Sequence, residues 1–273
     1  MNYKTQIIFP VLFLVASIIY LVYLISTTGL NLDIDLKGGT QISFESSSEL
    51  NEQNLENILK DFEADVRIAR GLTTYTALID VDSSIDSNQV ISTLNNSGYS
   101  AEFSVSSITP SLGESFLQQA QLVLAFAFLF MAITVFIIFR VGFPSLYVVL
   151  AGFADIVETL AVSQLLGIKL SLATFAALLL LIGYYVDTDI LLTSRVLRTA
   201  EGELKSKIRG AMKTGLTMIG ATSAALLALF VISISTVITQ IASVLLIGLV
   251  IDVINTWITN SNLLRWYVEK KQK

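Results

Sequence analysis

The chain has 273 residues, of which 53% are hydrophobic and 14% charged, and its mean hydropathy is +0.71. That charged fraction lies well below the roughly 25% of soluble domains, so the composition predicts an integral membrane protein. The absence of cysteine excludes disulfides and thiolate chemistry, and the absence of histidine removes the commonest general base. Carboxylates are therefore the main groups left to titrate.

Six apolar runs each approach the ~20 residues that cross a hydrocarbon core. They lie at 7–27, 117–139, 145–166, 171–193, 213–232 and 237–259. The first run is too long for the apolar region of a signal peptide, so we interpret it as a retained helix. The chain is thus predicted to divide into a first transmembrane helix (1–28), a polar domain (29–115) and a five-helix bundle (116–273).

The distribution of lysine and arginine predicts the orientation of these helices. With both termini in the cytoplasm, the inner side carries 12 of these residues and the outer side carries 5. The polar segment Gly29–Ser115, with 14 acidic and 4 basic residues, then lies outside. We therefore predict a multi-pass protein of the cell membrane, in contact with lipid, with both termini cytoplasmic.

Strand and helix patterns alternate through the polar segment. The stretch Asp33–Glu45 alternates like a strand after Gly39. The patterns that follow are a helix, two strands separated by a turn at Gly71, a short helix and a last strand, at Glu49–Phe62, Asp65–Arg70, Thr73–Val81, Ser87–Leu94 and Ala101–Ile108. This order is that of a ferredoxin-like α+β domain. The predicted fold is an α-helical membrane protein with six transmembrane helices plus a ferredoxin-like extracytoplasmic domain between helices 1 and 2. The sheet face opposite the two helices would be free for a partner.

Two aspartates lie near the end of the fourth apolar run, Asp187 and Asp189. One aspartate at a helix centre costs roughly 2.5–3.5 kcal/mol on insertion scales, so two indicate a partner, a water-filled crevice or an exchangeable proton. They are about 200° apart around a helix and cannot face one groove. Gly183, one turn before Asp187, would admit a neighbouring helix. We therefore predict Asp187 as the buried site. Asp189 would face a second helix, or the interface where Lys213 or Arg195 could pair with it.

The third and sixth predicted helices carry further acids. Asp155 and Glu158 are three residues apart and share a helix face near mid-membrane. The sixth helix has a polar stripe at i, i+3, i+4 and i+7, which consists of Asp252, Asn255, Thr256 and Thr259. Either set could bind an ion, or could simply hydrogen-bond neighbouring helices.

The fifth predicted helix opens with Lys213, and its Gly215 and Gly220 suit close helix packing. The pair Gly38-Gly39 is interpreted as a backbone requirement of the first strand, because no phosphate-binding fingerprint follows it. We find no nucleophile with a base, no metal cluster and no nucleotide motif. The sequence therefore predicts a protein that is not an enzyme, needs no cofactor or metal and binds no nucleic acid.

Four motifs resemble the SecF family of protein-export membrane proteins, most closely its archaeal branch. They are Asp-Ile-Asp-Leu-Lys-Gly-Gly-Thr at 33–40, Thr-Pro-Ser-Leu-Gly-Glu-Ser-Phe at 109–116, Gly-Tyr-Tyr-Val-Asp-Thr-Asp-Ile-Leu-Leu-Thr-Ser-Arg-Val-Leu at 183–197 and Ala-Met-Lys-Thr-Gly-Leu-Thr-Met at 211–218. The resemblance covers nearly the whole chain. The bacterial signature has Asn-Asp-Thr where this chain has Asp187-Thr188-Asp189, so the family's aspartate falls on Thr188 and either neighbour could inherit its role. A basic residue of the family's fifth helix is replaced by Lys213.

The resemblance implies a subunit of the Sec protein-export machinery within the RND-type superfamily. Such a subunit pairs with a SecD-like subunit beside the Sec translocon channel, and the proton motive force helps it translocate and release a polypeptide. As a mechanism, movement of Asp187 between Lys213 and a partner helix would alternate its proton affinity. The coupling candidates are Asp187, Asp189, Lys213, Asp155, Glu158 and Asp252. Sodium would also suit carboxylates and hydroxyls. The alternatives are half of a small-molecule exporter of the same superfamily, and a passive assembly subunit of the translocon.

Overall fold

The computed structural model describes residues 6–70, 74–198, 202–233 and 235–271. The elements of the first part of the chain are α1 (Ile8–Thr27), α2 (Ile34–Lys37), β1 (Gly39–Ser46), α3 (Glu52–Ile58), a 3-10 turn (Lys60–Phe62), β2 (Asp65–Arg70), β3 (Tyr75–Val81), α4 (Ser87–Asn96) and β4 (Phe103–Ile108). Long helices follow, namely α5 (Pro110–Phe139), α6 (Gly142–Leu165), α7 (Leu172–Arg198), α8 (Leu204–Ile232) and α9 (Thr236–Ile254), then a π-helical segment (Asn255–Asn260) and α10 (Ser261–Lys271).

Among the described residues, six helices are long and apolar enough to cross a membrane, as the sequence predicts. They are α1, α5, α6, α7, α8 and the continuous helix from Thr236 to Lys271 that α9, the π-helical segment and α10 form. Some begin before the apolar runs do, since α5 starts at Pro110 rather than 117 and α8 at Leu204 rather than 213. An apolar run in the sequence marks only the part of a helix that lies in the hydrocarbon core, and the helix itself can extend beyond that run. Proline at the first position of α5 suits a helix start, because its missing N–H would have no partner there.

An antiparallel sheet lies between α1 and α5 in the chain, and its strand order is β2-β3-β1-β4. The predicted succession of strand, helix, two strands, helix and strand is present, whereas the predicted turn at Gly71 lies outside the described residues. One sheet face packs on α3 and α4, where Ile42, Ile79, Leu55 and Leu94 are each fully buried. Alternate residues of β1 and β3 supply this core because side chains along a strand point to opposite faces.

The chain before β1 is helical, which differs from the strand pattern predicted from Asp33. Asp33 accepts a hydrogen bond from the backbone N–H of Ile34 and caps the single turn of α2. Gly38 follows with φ +81°, a conformation that other residues rarely adopt. A Cβ on Gly38 would also lie 2.6 Å from the Cα of Pro110 at the start of α5. The predicted backbone requirement at this glycine pair is therefore confirmed.

The sheet face that the sequence analysis left free for a partner is partly covered by this chain itself. The loop between α6 and α7 bonds to the segment that leads into the sheet: the N–H of Asp33 donates to the carbonyl of Leu170 at 2.8 Å, and the N–H of Leu170 donates to the carbonyl of Asn31 at 2.8 Å. Lys169 of the loop contacts Asp80 of β3. A contact of this kind joins residues 89 positions apart, so no local pattern reveals it.

Candidate functional site

Two glycines allow neighbouring helices of the bundle to approach closely. Gly248 of α9 faces Tyr185 and Leu181 of α7 so closely that a Cβ would collide with both side chains. On the other side of the sixth span, Gly215 of α8 faces the ring of Trp257 with equally little room. Small residues let helix backbones approach in a membrane, where lipid tails are as apolar as the interface. The polar side chains of α6, α7 and the sixth span are thereby brought together.

The pair Asp155 and Glu158 of α6 meets the sixth span at Asn255. The Asn255 side-chain amide lies 2.7 Å from Asp155 Oδ1 and 2.6 Å from Glu158 Oε2, and it donates to both. Asp155 is fully buried and Glu158 is 1% exposed. The two acids share one helix face, as the sequence predicts, and a single neutral amide serves both.

Asp252 joins α7 to the sixth span through hydroxyl groups. Thr188 Oγ1 donates to its carboxyl group, with distances of 3.2 and 3.0 Å to the two oxygens. Thr256 Oγ1, one turn further along, donates to Asp252 Oδ1 at 2.8 Å. Asp252 is fully buried, so these hydroxyls take the place of water around it.

Asp189 completes the buried carboxyl cluster, which consists of Asp155, Glu158, Asp189 and Asp252. Its Oδ1 accepts hydrogen bonds from Thr256 Oγ1 at 3.1 Å and from the Asn260 amide at 2.5 Å. Both donors belong to the π-helical segment Asn255–Asn260. A π turn spaces its hydrogen bonds five residues apart, so Asn255 and Asn260 both reach the acids. The sequence left two placements open for Asp189, a second helix or the interface, and the structure shows it in contact with a second helix.

Within the described part of the chain, the hydrogen-bond partners of the cluster are all neutral. Across the described ranges 6–70, 74–198, 202–233 and 235–271, no ion pair within 4.0 Å involves any of the four acids. Three buried carboxyl oxygens, Asp155 Oδ2, Glu158 Oε1 and Asp189 Oδ2, have no hydrogen-bond partner in this part of the chain. An uncompensated buried carboxylate is costly, and the cost falls when the group takes up a proton or a cation. These three oxygens are therefore buried acceptors without a donor in the described part of the chain.

The prediction that Asp187 is the buried aspartate is wrong for this chain, since its side chain is exposed. Gly183 on the same stripe is exposed too, and a Cβ there would meet nothing within 4 Å. Asp189, two residues on, is 1% exposed. The sequence placed the two aspartates on different sides of the helix correctly but assigned the sides the wrong way round. Both sides of α7 are rich in apolar residues, and lipid accepts an apolar side chain as readily as the bundle interior does.

The structure places the three residues predicted in the fifth span in different surroundings. Lys213 is exposed and forms no ion pair with Asp187, so the structure does not bring the proposed lysine to the acids. Gly215 packs closely against Trp257, as predicted, whereas the Cβ position of Gly220 is open within this chain. Close packing at Gly220 and Gly183 is thus not found among the helices described.

The sequence does not predict Tyr185, Gly248 or Asn260 as site residues, and it marks Thr188 only as the position where the family's aspartate falls. Tyr185 lies four residues before Asp189 on the buried stripe of α7, and Thr188 lies directly before Asp189. The Tyr185 hydroxyl lies 3.0 Å from Thr159 Oγ1. Helical spacing from Asp189 marks Tyr185, and helical spacing from Tyr185 marks Thr188. No such signal marks Asn260, because it replaces Thr259 on the acid-facing side only through the π-helical segment.

The described residues contain six apolar helices, an α+β domain inserted after the first of them and acids buried between three helices, and these features define a polytopic membrane protein. The family model for the protein export membrane protein SecD/SecF, C-terminal, matches residues 76–270. The protein-export membrane protein SecF of Methanothermobacter thermautotrophicus is 37% identical over 98% of this chain and 93% of its own length. That of Pyrococcus furiosus is 36% identical over 100% of this chain and 93% of its own length. The chain therefore belongs to the SecD/SecF family of protein-export membrane proteins, which confirms the resemblance.

A solved structure has the same fold. The crystal structure of SecDF, a translocon-associated membrane protein from Thermus thermophilus, matches 100% of this chain with a TM-score of 0.74 at 18% identity. This chain spans 39% of the length of the SecDF chain. The six-helix bundle and its inserted sheet thus form one part of a longer arrangement in that protein.

Proposed function

We propose that this chain works in Sec protein export as one half of a proton-driven pair. Its partner is a SecD-like subunit of similar layout, which the SecDF chain supplies within one polypeptide. Proton movement through the buried carboxyl cluster changes the arrangement of the six helices, and the α+β domain passes this change to a polypeptide that emerges from the Sec channel. No other cofactor takes part, and neither chemistry on a substrate nor binding of nucleic acid is involved.

The observation that supports this proposal is that the hydrogen-bond partners of four buried acids in the described chain carry no charge. Amide and hydroxyl groups of Asn255, Asn260, Thr188 and Thr256 are their partners within the described chain. A fixed ion pair would hold such acids permanently in one state. Neutral donors and unpartnered oxygens instead let the proton occupancy change with access, at about 2.3 kcal/mol per charge for each 100 mV of membrane potential.

The orientation and the domain type belong to the same proposal. The positive-inside count supports cytoplasmic termini in the cell membrane, with the domain of residues 29–115 outside and residues 1–28 and 116–273 forming the membrane part. The strand order β2-β3-β1-β4 with two helices on one face supports a ferredoxin-like domain. In this proposal Asp189 is the buried coupling residue, the role that the sequence predicts for Asp187. Asp187, Gly183 and Gly220 are open on the bundle surface, where the SecD-like subunit would pack, and Lys213 has no role in the buried cluster.

The test compares two isosteric changes in one helix, Asp189→Asn and Asp187→Asn. Vesicles that contain the translocon, the SecD-like subunit and each variant are loaded with an export substrate, and release of the polypeptide is followed with and without a proton gradient. We expect Asp189→Asn to reduce release to the rate measured with the gradient collapsed, because its carboxyl can no longer exchange a proton. Asp187→Asn is expected to retain the gradient-dependent rate.

Each outcome points to a defined function. Full gradient dependence in Asp189→Asn would contradict the proposed proton site, and loss in Asp187→Asn alone would return the site to the surface that a partner covers. Dependence on a sodium gradient instead of a proton gradient would identify the coupling ion. If every carboxyl variant assembles and works equally well, the chain is a passive assembly subunit. Ion-coupled efflux of small molecules without an effect on release would favour the exporter.

A further inference from the structure

A buried lysine joins the sheet to the membrane bundle. Lys169 lies in the short loop between α6 and α7 and is 4% exposed. Its Nζ is 2.6 Å from Asp65 Oδ2 and 2.7 Å from Asp80 Oδ2. Lysine is almost never this buried unless it is paired. These ion pairs connect β2 and β3 with the loop that leads into the helix of Asp189.

The sheet is built to receive a cation at this point. Asp65 and Asp80 stand directly opposite each other in the pairing of β2 with β3, and like charges in that position destabilise a sheet. The Lys169 ammonium lies against both. Arg67 neutralises part of the same cluster, since it is 2.6 Å from Asp80 Oδ2 and 3.2 Å from Asp33 Oδ1. With Lys169 in place, three carboxylates face two cations, and without it they face one.

The electrostatics of Asp80 show how well this arrangement holds the ionised form. Burial by itself raises the pKa of Asp80, but the charge of Arg67 and the hydrogen bond and charge of Lys169 outweigh burial, and the pKa lies below its usual value. The pKa of Arg67 is raised, because Asp80 and Asp33 outweigh the effect of burial. The ion-paired state is therefore the stable one at neutral pH.

The loop that carries Lys169 is fixed to the first turn of α7. Ser171 and Thr174 cap this helix reciprocally: the N–H of Thr174 donates to Ser171 Oγ at 3.1 Å, and the N–H of Ser171 donates to Thr174 Oγ1 at 2.7 Å. Thr174 Oγ1 also donates to the carbonyl of Lys169 at 3.1 Å. A shift of α7 therefore moves the backbone of Lys169 with it.

We propose that Lys169 is a positioning residue, which docks the α+β domain on the bundle and is withdrawn from Asp65 and Asp80 when the domain moves. The role rests on the proposed function, in which α7 responds to its buried acids and the domain acts on the polypeptide. The Lys169 contact is the electrostatic part of the connection between the two. Because the contact consists of ion pairs between a loop and the sheet, it can break without unfolding either the domain or the bundle.

The docking is measured on the full chain, which has no cysteine of its own. Cysteines replace Gln89, exposed on the domain, and Val231, 66% exposed on α8, and spin labels on both report the distance between domain and bundle. We expect one narrow distance distribution in the parent and a broadened or shifted one in Lys169→Met. The matched control Lys37→Met removes an exposed lysine on the same side and is expected to leave the distribution unchanged.

A double-mutant comparison assigns the effect to the ion pair. Asp65→Asn should broaden the distribution in the same direction, and Lys169→Met combined with Asp65→Asn should broaden it no further than Lys169→Met alone. Lys169→Arg, which keeps the charge, should restore much of the parent distribution. An unchanged distribution in Lys169→Met, or strictly additive effects of the two changes, would overturn the docking role.

The withdrawal of Lys169 from the sheet is tested with a cross-link that prevents it. In Lys169→Cys combined with Asp65→Cys, a bis-methanethiosulfonate reagent ties the loop to β2, and dithiothreitol releases it. We expect the bridged protein to lose polypeptide release and to regain it on reduction, while the cysteine-free parent ignores the reagent. Full release by the bridged protein would overturn the withdrawal step. Asp189→Asn distinguishes the two proposals, because it leaves the spin-label distances of the resting protein intact even if proton coupling fails.

Discussion

At the scale of single residues, the buried acids are stabilised by groups that carry no charge. The Asn255 amide donates to both Asp155 and Glu158, and the Thr256 hydroxyl lies within hydrogen-bond distance of both Asp252 and Asp189. Each shared donor places two acids close to one another, so a proton gained by one changes the surroundings of the next. Among the residues that the structure describes, the exposed Asp187 has no such neighbours. The choice between the two aspartates of the fourth span is thus decided by donors that another helix supplies.

The pH dependence of domain docking follows from Asp80. The groups that face it are Arg67, Lys169, Asp65, Asp33 and Gln41. Its pKa is lowered in the folded protein, so its contribution is complete above the ordinary value of about 3.9 and is lost as the pH falls further. We expect the distance between labels at positions 89 and 231 to be constant near neutrality and to broaden below about pH 4.

Asp80→Asn serves as the control for this titration, because it removes the titrating group and keeps the size of the side chain. Its distance distribution should already be broad at pH 7 and should change less on acidification. Asp35 is also affected by the cluster, since burial, Asp33 and Asp80 raise its pKa, a shift opposite in direction to that of Asp80. A docking distance that loosens as the pH rises through neutrality would contradict the assignment to Asp80.

At the scale of elements, the sixth span is shaped by its departures from a regular α-helix. The π-helical segment turns Asn255 and Asn260 toward the acids, and Gly248 brings α9 against α7. Such π-turns in long helices occur frequently at functional sites. Helix α9 thus supplies the close contact with α7, and the π-helical segment supplies hydrogen-bond donors to the acids.

The glycine contact yields a stability prediction. Gly248→Ala adds a Cβ where Tyr185 and Leu181 leave no room, and overpacking of this kind costs about 1–3 kcal/mol. We expect a lower thermal unfolding temperature in detergent, measured by the fluorescence of the tryptophans. Gly220→Ala is the matched control, because its Cβ would meet nothing within 4 Å. Equal unfolding temperatures for the two variants would contradict the close approach of α9 and α7.

At the scale of the whole molecule, a sheet domain and a helix bundle are held together at several points. The loop between α6 and α7 bonds to the entry segment at Asn31 and Asp33, Lys169 reaches the sheet, and Gly38 packs on the start of α5. All these contacts lie on one side of the bundle. The domain is therefore joined to the bundle by direct contacts as well as by the chain itself.

The orientation of the whole molecule is tested with single cysteines, which the cysteine-free background makes unambiguous. Ser83→Cys in the domain and Lys205→Cys at the start of α8 both lie on exposed surface. In intact cells, a maleimide that cannot cross the membrane is expected to label the first and not the second, which should react only after permeabilisation. The opposite pattern would invert the proposed topology.

The sequence by itself determined the class, the number of spans, the succession of elements in the domain and the family. These features depend on composition, on runs of about 20 apolar residues and on local periodicity, all of which can be read along one dimension. It also identified every acid of the cluster, because a carboxylate in an apolar run is conspicuous wherever it faces.

Only the tertiary structure decided which aspartate is buried, which residues donate to it and how the domain meets the bundle. Lipid and protein interior are equally apolar, so hydrophobicity does not distinguish the side of α7 with Asp189 from the side with Asp187. The donors Thr188 and Asn260, and the contact of Lys169 with Asp65 and Asp80, join distant parts of the chain. Their partners are fixed by helix packing at Gly248 and by strand register, which a local pattern does not contain.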